Sequence, residues 1–368
     1  MVSHPMINLS KGHPTEALYA HTELARASRA AAARMDSADF SLDYGNEGGS
    51  ARFAAALAGL LAEEDAAATN PAAPSPSFDL SDRLFVTNGV SHALDVISAV
   101  LARPGDRCLT EAATYFLAVD IFRSHGLDVD AAPAAPDGSL DVGALGSGLR
   151  AGSVPAPQLV YLCPIHSNPT GNTLSAEDRS ELVALALEFQ FFIIADEVYH
   201  FLDWPAAAGG GGSAKPARMA AFDPAYLRTE KEDKASLDVY SSSAPMASEG
   251  DGTRAPAPKA GTGEPAGGVV VSVSSFSKIL GAGLRLGWIE AAPDVIENLS
   301  VHPYVLSGGG VAPFMGARYI LCFPNACLPA VWVLPFKFAN RRAERERERE
   351  RERSSLNQPL LACMSTTV

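Results

Sequence analysis

From residue 83 onward, short runs that are apolar throughout alternate with longer stretches whose apolar positions recur every three or four residues. The runs RLFVT (83–87), RCLTE (107–111), LDVDAAP (127–133), PQLVYLCP (157–164), FFIIAD (191–196) and VVVSV (269–273) predict strands. The stretches VSHALDVISAVLA (90–102), YFLAVDIFRSHG (115–126) and SAEDRSELVALALEF (175–189) predict helices, the first with apolar residues at i, i+4 and i+7. Ahead of them, residues 15–35 are Ala-rich with helical character, GGSARFAAALAGLLAEE (48–64) predicts a clearer helix, and TNPAAPSPS (69–77) predicts a loop. Strands without polar alternation, separated by helices, belong to a sheet covered on both faces. The expected class is α/β, a mostly parallel doubly wound sheet with helices on both sides.

The alternation stops at residues 205–268. That segment holds AAAGGGGSAKPA, a charged RTEKEDK and a long Ser/Pro/Gly tract. Such a composition buries little apolar area, so a disordered insertion is expected there. The C-terminus departs again. YILCFPNACLPAVWVLPFKF (319–338) is apolar, but Pro324, Pro329 and Pro335 make it a poor membrane helix. RRAERERERERER (341–353) is a low-complexity charge run that reads as a solvated tail.

A chain of 368 residues with 47% hydrophobic and 19% charged residues has the makeup of a soluble globular protein of up to two domains. The formal charge of −13 argues against nucleic acid or an anionic membrane as partner. Five cysteines without a C-x-x-C pair predict reduced thiols and a cytoplasmic setting, and no metal-ligand spacing appears among cysteines and histidines. The N-terminus shows no signal-peptide pattern.

Candidate chemistry gathers where strands should end. Lys278 follows VVVSV in SSFSKILGAGLRLGW, with Ser275 and Ser277 before it and Arg285 after it. Asp196 ends FFIIAD, and Tyr199 stands three residues on. Asn168 lies in HSNPTG, just beyond LVYLC. Gly89 opens helix 90–102, so the amides of Val90 and Ser91 form an anion site at a helix start. Ligands of open α/β sheets bind outside the carboxyl ends of the strands. Pyridoxal phosphate needs this set of groups. A lysine holds its aldehyde as a Schiff base, a carboxylate faces its ring nitrogen, donors face its phenolate oxygen, and a helix start with hydroxyls and an arginine takes its phosphate. Tyr115 is positioned to stack on the ring.

Two competing readings fail. GAGLRLG (281–287) has Leu286 where a dinucleotide fingerprint needs glycine. Asp196 and Glu197 are adjacent on a strand end and should point opposite ways, unlike a hydrolase's paired carboxylates.

In order along the chain, TNGVSHALD, HSNPTG, ADEVYHFL and SSFSKILGAGLRLGW resemble the class I/II aminotransferases of pyridoxal-phosphate fold type I, over roughly residues 5–315. The nearest likeness is to the 2-aminoadipate and kynurenine aminotransferase branch. The resemblance implies that Lys278 is the Schiff-base lysine and Asp196 the partner of the ring nitrogen. It implies Tyr199 and Asn168 as ring-oxygen donors, and Ser275, Ser277, Arg285, Ser91 and the Val90 amide as phosphate ligands. Tyr44 in LDYGNEGG looks like the tyrosine that the family reaches across a dimer interface, and Gly12 like its glycine segment near the substrate carboxylate. The implied substrates are an L-amino acid of 2-aminoadipate, kynurenine or aromatic type and a 2-oxo acid, and the implied assembly is a homodimer.

The expected organisation is an N-terminal segment (1–43) belonging to a small domain, a cofactor domain (44–316) and a dissimilar tail (317–368). That tail does not resemble the family's C-terminal small domain, which supplies an arginine for the substrate α-carboxylate. The chain is therefore expected to bind cofactor but to transaminate poorly. A β- or γ-elimination lyase and a silent cofactor binder are the alternatives.

Overall fold

The computed structural model describes residues 12, 14, 19, 21–33, 44–68, 80–202, 215–224 and 268–309. The apolar runs become β1 (Leu84–Thr87), β2 (Arg107–Thr110), β3 (Asp128–Ala131), β4 (Leu159–Leu162), β5 (Phe192–Asp196) and β6 (Val270–Ser275), joined by β7 (Gly287–Glu290). They form one seven-stranded sheet in the order β1-β7-β6-β5-β4-β2-β3. Neighbours from β6 to β3 pair in parallel, and β7 runs antiparallel to both β6 and β1. The mostly parallel sheet is as expected. The pattern of the sequence does not mark β7, a four-residue strand that directly follows a glycine-rich turn.

The helices are α1 (His21–Ala32), α2 (Ala51–Ala67), α3 (Val90–Leu101), α4 (Phe116–Ser124), α5 (Val142–Ala151), α6 (Ala176–Phe189) and α7 (Pro293–Ser300). Because side chains of a strand alternate, each strand feeds two cores. Phe85, Tyr161, Ile194, Val271 and Ile289 pack with α3, α4 and α7 on one face. Val160, Leu162, Ile193 and Ala195 pack with α5 and α6 on the other. Toward the β1 edge, Phe53, Leu57 and Leu61 of α2 meet Val86, Phe276 and Trp288.

The hydrophobic pattern does not mark α5 either, because VGALGSGLRA holds three glycines, each costly within a helix. Its start is secured by Asp141, whose side chain accepts from the Ala144 amide at 2.8 Å. Gly146 lets α5 approach α6, since a Cβ there would lie 3.2 Å from Leu185.

The expectation of a disordered insertion across 205–268 does not hold at residues 215–224. Met219 is fully buried, and Arg218 is buried between Asp65 of α2, at 2.7 and 2.8 Å, and Glu290 of β7. Asp223 then accepts from the amides of Val269 and Val270 at 2.7 and 2.8 Å, so it caps the entry to β6. Average composition hides these few residues, whose order comes from partners distant in sequence. The rest of the insertion, the tail at 317–368 and the expected loss of the small domain lie outside the described residues. Replacing 226–266 by a short linker is expected to leave the unfolding midpoint in denaturant within experimental error. Replacing 208–266, which removes Arg218 and Asp223, should abolish the cooperative transition.

Candidate active site

All strands except β7 point the same way, so the carboxyl ends of β4, β5 and β6 and the start of α3 after β1 share one rim. Asp196, Lys278, Arg285 and the 163–172 turn meet there.

Asp196 continues the face of β5 that carries Ile194, and so turns toward the α3/α4 side. It is buried, and its Oδ2 accepts from the Tyr161 hydroxyl of β4 at 2.8 Å. Its Oδ1 is buried with no hydrogen-bond partner among the described residues, although the nearby Val198 amide favours the charged form. Burial pushes the carboxyl up to about 6, against the pull of Tyr161, Val198 and Lys278. Glu197 points to the opposite face, as strand alternation requires, where it accepts from the Met219 amide at 2.7 Å and from Ser272.

Lys278 sits in a single helical turn, Phe276–Lys278, that ends β6. Its Nζ donates to the Gly12 carbonyl at 2.8 Å and lies 6.0 Å from the centre of the Tyr199 ring. Partial burial holds the ammonium below its ordinary range, and the Asp196 charge opposes that shift. The Tyr199 oxygen accepts from the Asn168 side chain, and burial followed by the Asp196 charge pushes the phenol up to about 12. Tyr115 precedes α4, half-buried. Burial and Asp196 raise its phenol, and Arg285 acts in the other direction. Lys278, Asp196, Tyr199, Tyr115 and Arg285 therefore share one electrostatic neighbourhood.

The opposite end of the site is built for close approach. Arg285 donates from Nη2 to the Asn88 carbonyl at 2.8 Å and from Nη1 to Ala282 at 3.2 Å. Gly89 caps α3 with φ 85°, a left-handed conformation, and a Cβ on it would stand 2.8 Å from Arg285 Nη2. A Cβ on Gly287 would stand 2.7 Å from the Ser274 carbonyl and 2.8 Å from Gly89 Cα. The first amides of α3, at Val90 and Ser91, thus open beside an exposed guanidinium, a pairing suited to an anion. Ser275 is buried and its oxygen accepts from the Ser277 amide at 3.3 Å, while Ser277 itself is half-buried.

Of the expected site residues, Tyr44 stands apart. It is 88% exposed and lies against Gly308. Three contributors were not read from the sequence. Tyr161 carries the one polar tip in LVYL, a group that must find a partner when buried. Glu111 follows β2 as a second buried carboxylate on the rim. Gly287 offers no local signal, since its need arises from Gly89.

Residues 4–302 match the profile of the family Aminotransferase class I and II. An aromatic amino acid aminotransferase of Schizosaccharomyces pombe is 28% identical over 223 residues, which is 58% of this chain and 39% of that protein. A mitochondrial kynurenine/alpha-aminoadipate aminotransferase of Rattus norvegicus is 24% identical over 236 residues, 61% of this chain and 43% of the relative. The chain therefore spans about two fifths of the length of these curated relatives. Among solved structures, the alpha-aminoadipate aminotransferase LysN of Thermus thermophilus, complexed with N-(5'-phosphopyridoxyl)-L-leucine, superposes with a TM-score of 0.60 at 20% identity, covering 88% of this chain and 66% of its own. That likeness extends to the fold. With its profile match covering most of the sequence, the chain belongs to the class I and II aminotransferase family.

Proposed function

We propose that this chain binds pyridoxal phosphate through Lys278 and transfers the amino group of an L-amino acid, of 2-aminoadipate, kynurenine or aromatic type, to a 2-oxo acid. The observation that carries the reading is the buried Oδ1 of Asp196, unpartnered among the described residues, in a carboxyl that feels the charge of Lys278 just beyond the end of the next strand. A buried carboxylate oxygen without a donor needs one, and a protonated ring nitrogen supplies it. The residues present fit the cofactor at its other end too, where Gly89, Val90, Ser91, Ser275, Ser277 and Arg285 would take the phosphate.

When bound, pyridoxal phosphate supplies an aldehyde that captures amines and a ring that accepts the electron pair of a broken Cα–H bond. The protein's part is proton control and orientation. Lys278, whose ammonium is held below its ordinary range by burial, would serve as the base for the substrate's Cα proton. Asp196 keeps a proton on the ring nitrogen, and Tyr161 fixes which carboxylate oxygen faces it. Asn168 and Tyr199 would hold the ring's phenolate oxygen, and Tyr115 would lie against the ring. Gly12, whose carbonyl accepts from Lys278, would line the entry of the substrate carboxylate.

Assembly as a homodimer belongs to the same proposal, with Tyr44 reaching into the partner's site. Exposed Tyr44 (88%), Phe116 (68%) and Leu306 (57%) are apolar surface of the kind a second copy would cover. A cytoplasmic location accords with the free thiols Cys108 and Cys163. Among the described residues, no helix is long and apolar enough to cross a membrane.

The test is reduction of the cofactor-loaded protein with borohydride, peptide mapping, and an assay of 2-oxo-acid formation from the three amino-acid types. The pyridoxyl group is expected on Lys278. A label on another lysine, or no 2-oxo acid from any of the three, would overturn the assignment.

A further inference from the structure

Glu111 is a second buried carboxylate on the rim, 4% exposed, one residue past the end of β2. Thr110 pairs with Tyr161, so Glu111 stands beside the point where the chain leaves β4. Its Oε2 accepts from the Cys163 amide at 2.9 Å, and its two oxygens receive the Ser167 hydroxyl at 3.0 and 3.1 Å. One side chain therefore ties together the first and last residues of the run 163–167. From Ser167 the turn closes on itself, with the Ser167 amide donating to Asn172 at 2.8 Å and the Gly171 amide donating back to Ser167 at 2.6 Å. The next residue after Ser167 is Asn168, whose amide donates toward the Cys163 thiol and whose side chain donates to Tyr199.

Among the described residues, no cation acts on Glu111. Burial raises its carboxyl, the two donors act against that, and the charge of a described residue that bears on it is the like charge of Asp196. An ionic partnership does not explain its burial, whereas two donors that would otherwise lie unsatisfied do. We propose that Glu111 is a positioning residue that anchors the 163–172 turn to the sheet and thereby holds Asn168 against Tyr199 at the cofactor's ring oxygen. The role at the ring oxygen rests on the proposed cofactor reading, while the anchoring of the turn does not.

The experiment compares Glu111→Ala, Glu111→Gln and Ser167→Ala in the full chain by two readouts. The first is amide hydrogen exchange over 163–172 without cofactor. The second is the dissociation constant of pyridoxal phosphate, followed by its visible absorbance. Glutamine keeps an acceptor for Cys163 and a partner for Ser167 but carries no charge. In Glu111→Ala, exchange confined to 163–172 is expected to quicken, and cofactor affinity to fall about 10- to 100-fold, the worth of one hydrogen bond to a charged group. Glu111→Gln should stay within about 3-fold of the parent, and Ser167→Ala should fall between them. If Glu111→Ala does not fold, Ser167→Ala decides by the same readouts. Unchanged exchange in the alanine variants, or a glutamine variant as impaired as alanine, would overturn the proposal. A parent chain that binds no pyridoxal phosphate would sink the cofactor reading, and the exchange data would still decide the anchor.

Discussion

Replacing Arg218 by alanine is expected to lower the free energy of unfolding by about 3–5 kcal/mol, the usual result of removing one partner of a buried ion pair. Arg218 is 3% exposed and Glu290 1% exposed, and Asp65 completes the group. The guanidinium makes two hydrogen bonds with Asp65 and two with Glu290. Even with the arginine in place, burial holds the Glu290 carboxyl above its ordinary value, and Arg218 is the main force pulling it down. Without that cation, the buried Glu290 carboxylate and the half-buried Asp65 carboxylate are left side by side. The loss should therefore be largest at neutral pH and shrink in acid, where the Glu290 carboxyl, already held above its ordinary value by burial, takes up a proton. Denaturant unfolding at pH 7 and pH 5 measures both effects. A variant with Arg218→Met, Asp65→Leu and Glu290→Leu should recover much of the stability, since an apolar replacement of the whole cluster leaves no charge stranded. A loss below about 1 kcal/mol in Arg218→Ala would mean that the cluster adds nothing to the fold.

Asp196→Asn should have the next largest effect, in opposite directions with and without cofactor. In the cofactor-free protein the folded-state carboxyl titrates at about 6, against an ordinary value of 3.8. The native state thus binds the proton more tightly than the unfolded chain does. Stability is lost as pH rises from about 4 through 6, by roughly 3 kcal/mol in all at 1.36 kcal/mol for each pKa unit. Asparagine keeps an acceptor for Tyr161 and cannot ionise, so the variant should lack this slope and be more stable than the parent above pH 6. With cofactor bound the sign reverses, because a neutral amide does not hold the ring nitrogen's proton. Exchange of the substrate α-proton should then fall about 10²–10³-fold, a loss typical of removing one electrostatic stabiliser. Parent-like exchange, or an unchanged pH slope of stability, would contradict the role given to Asp196.

Lys278 and Asp196 were legible in the sequence because each sits at or just beyond a run too apolar to be anything but buried strand, and Arg285 because it follows Lys278 in a glycine-rich turn. Chain order alone brings them to one rim once the sheet is parallel. Asn168 and Tyr199 were legible through turn chemistry and spacing, and the structure joins them by a hydrogen bond. Tyr161 and Glu111 were not, because their significance lies in partners on neighbouring strands, and sheet neighbours here are not sequence neighbours. Strand order places β4 between β5 and β2, and a reading along the chain does not supply that order. Arg218 was hidden for a related reason. A single buried arginine inside a Gly/Pro/Ser-rich tract is outvoted by its surroundings until Asp65 and Glu290 arrive from elsewhere.

The antiparallel placement of β7 bears on the order in which the site assembles. Ser275 pairs with Gly287, so the β6–β7 ladder closes over residues 276–286, the connection that carries both Lys278 and Arg285. A parallel neighbour would have required a long crossover in their place. Closing so short a connection takes microseconds at most. Asp196, by contrast, reaches its place beside Val273 only when the chain on either side of the 203–267 region has come together. Contacts of such wide sequence separation form slowly. A refolding chain should therefore present its lysine and arginine, on a finished hairpin, well before the aspartate that completes the site.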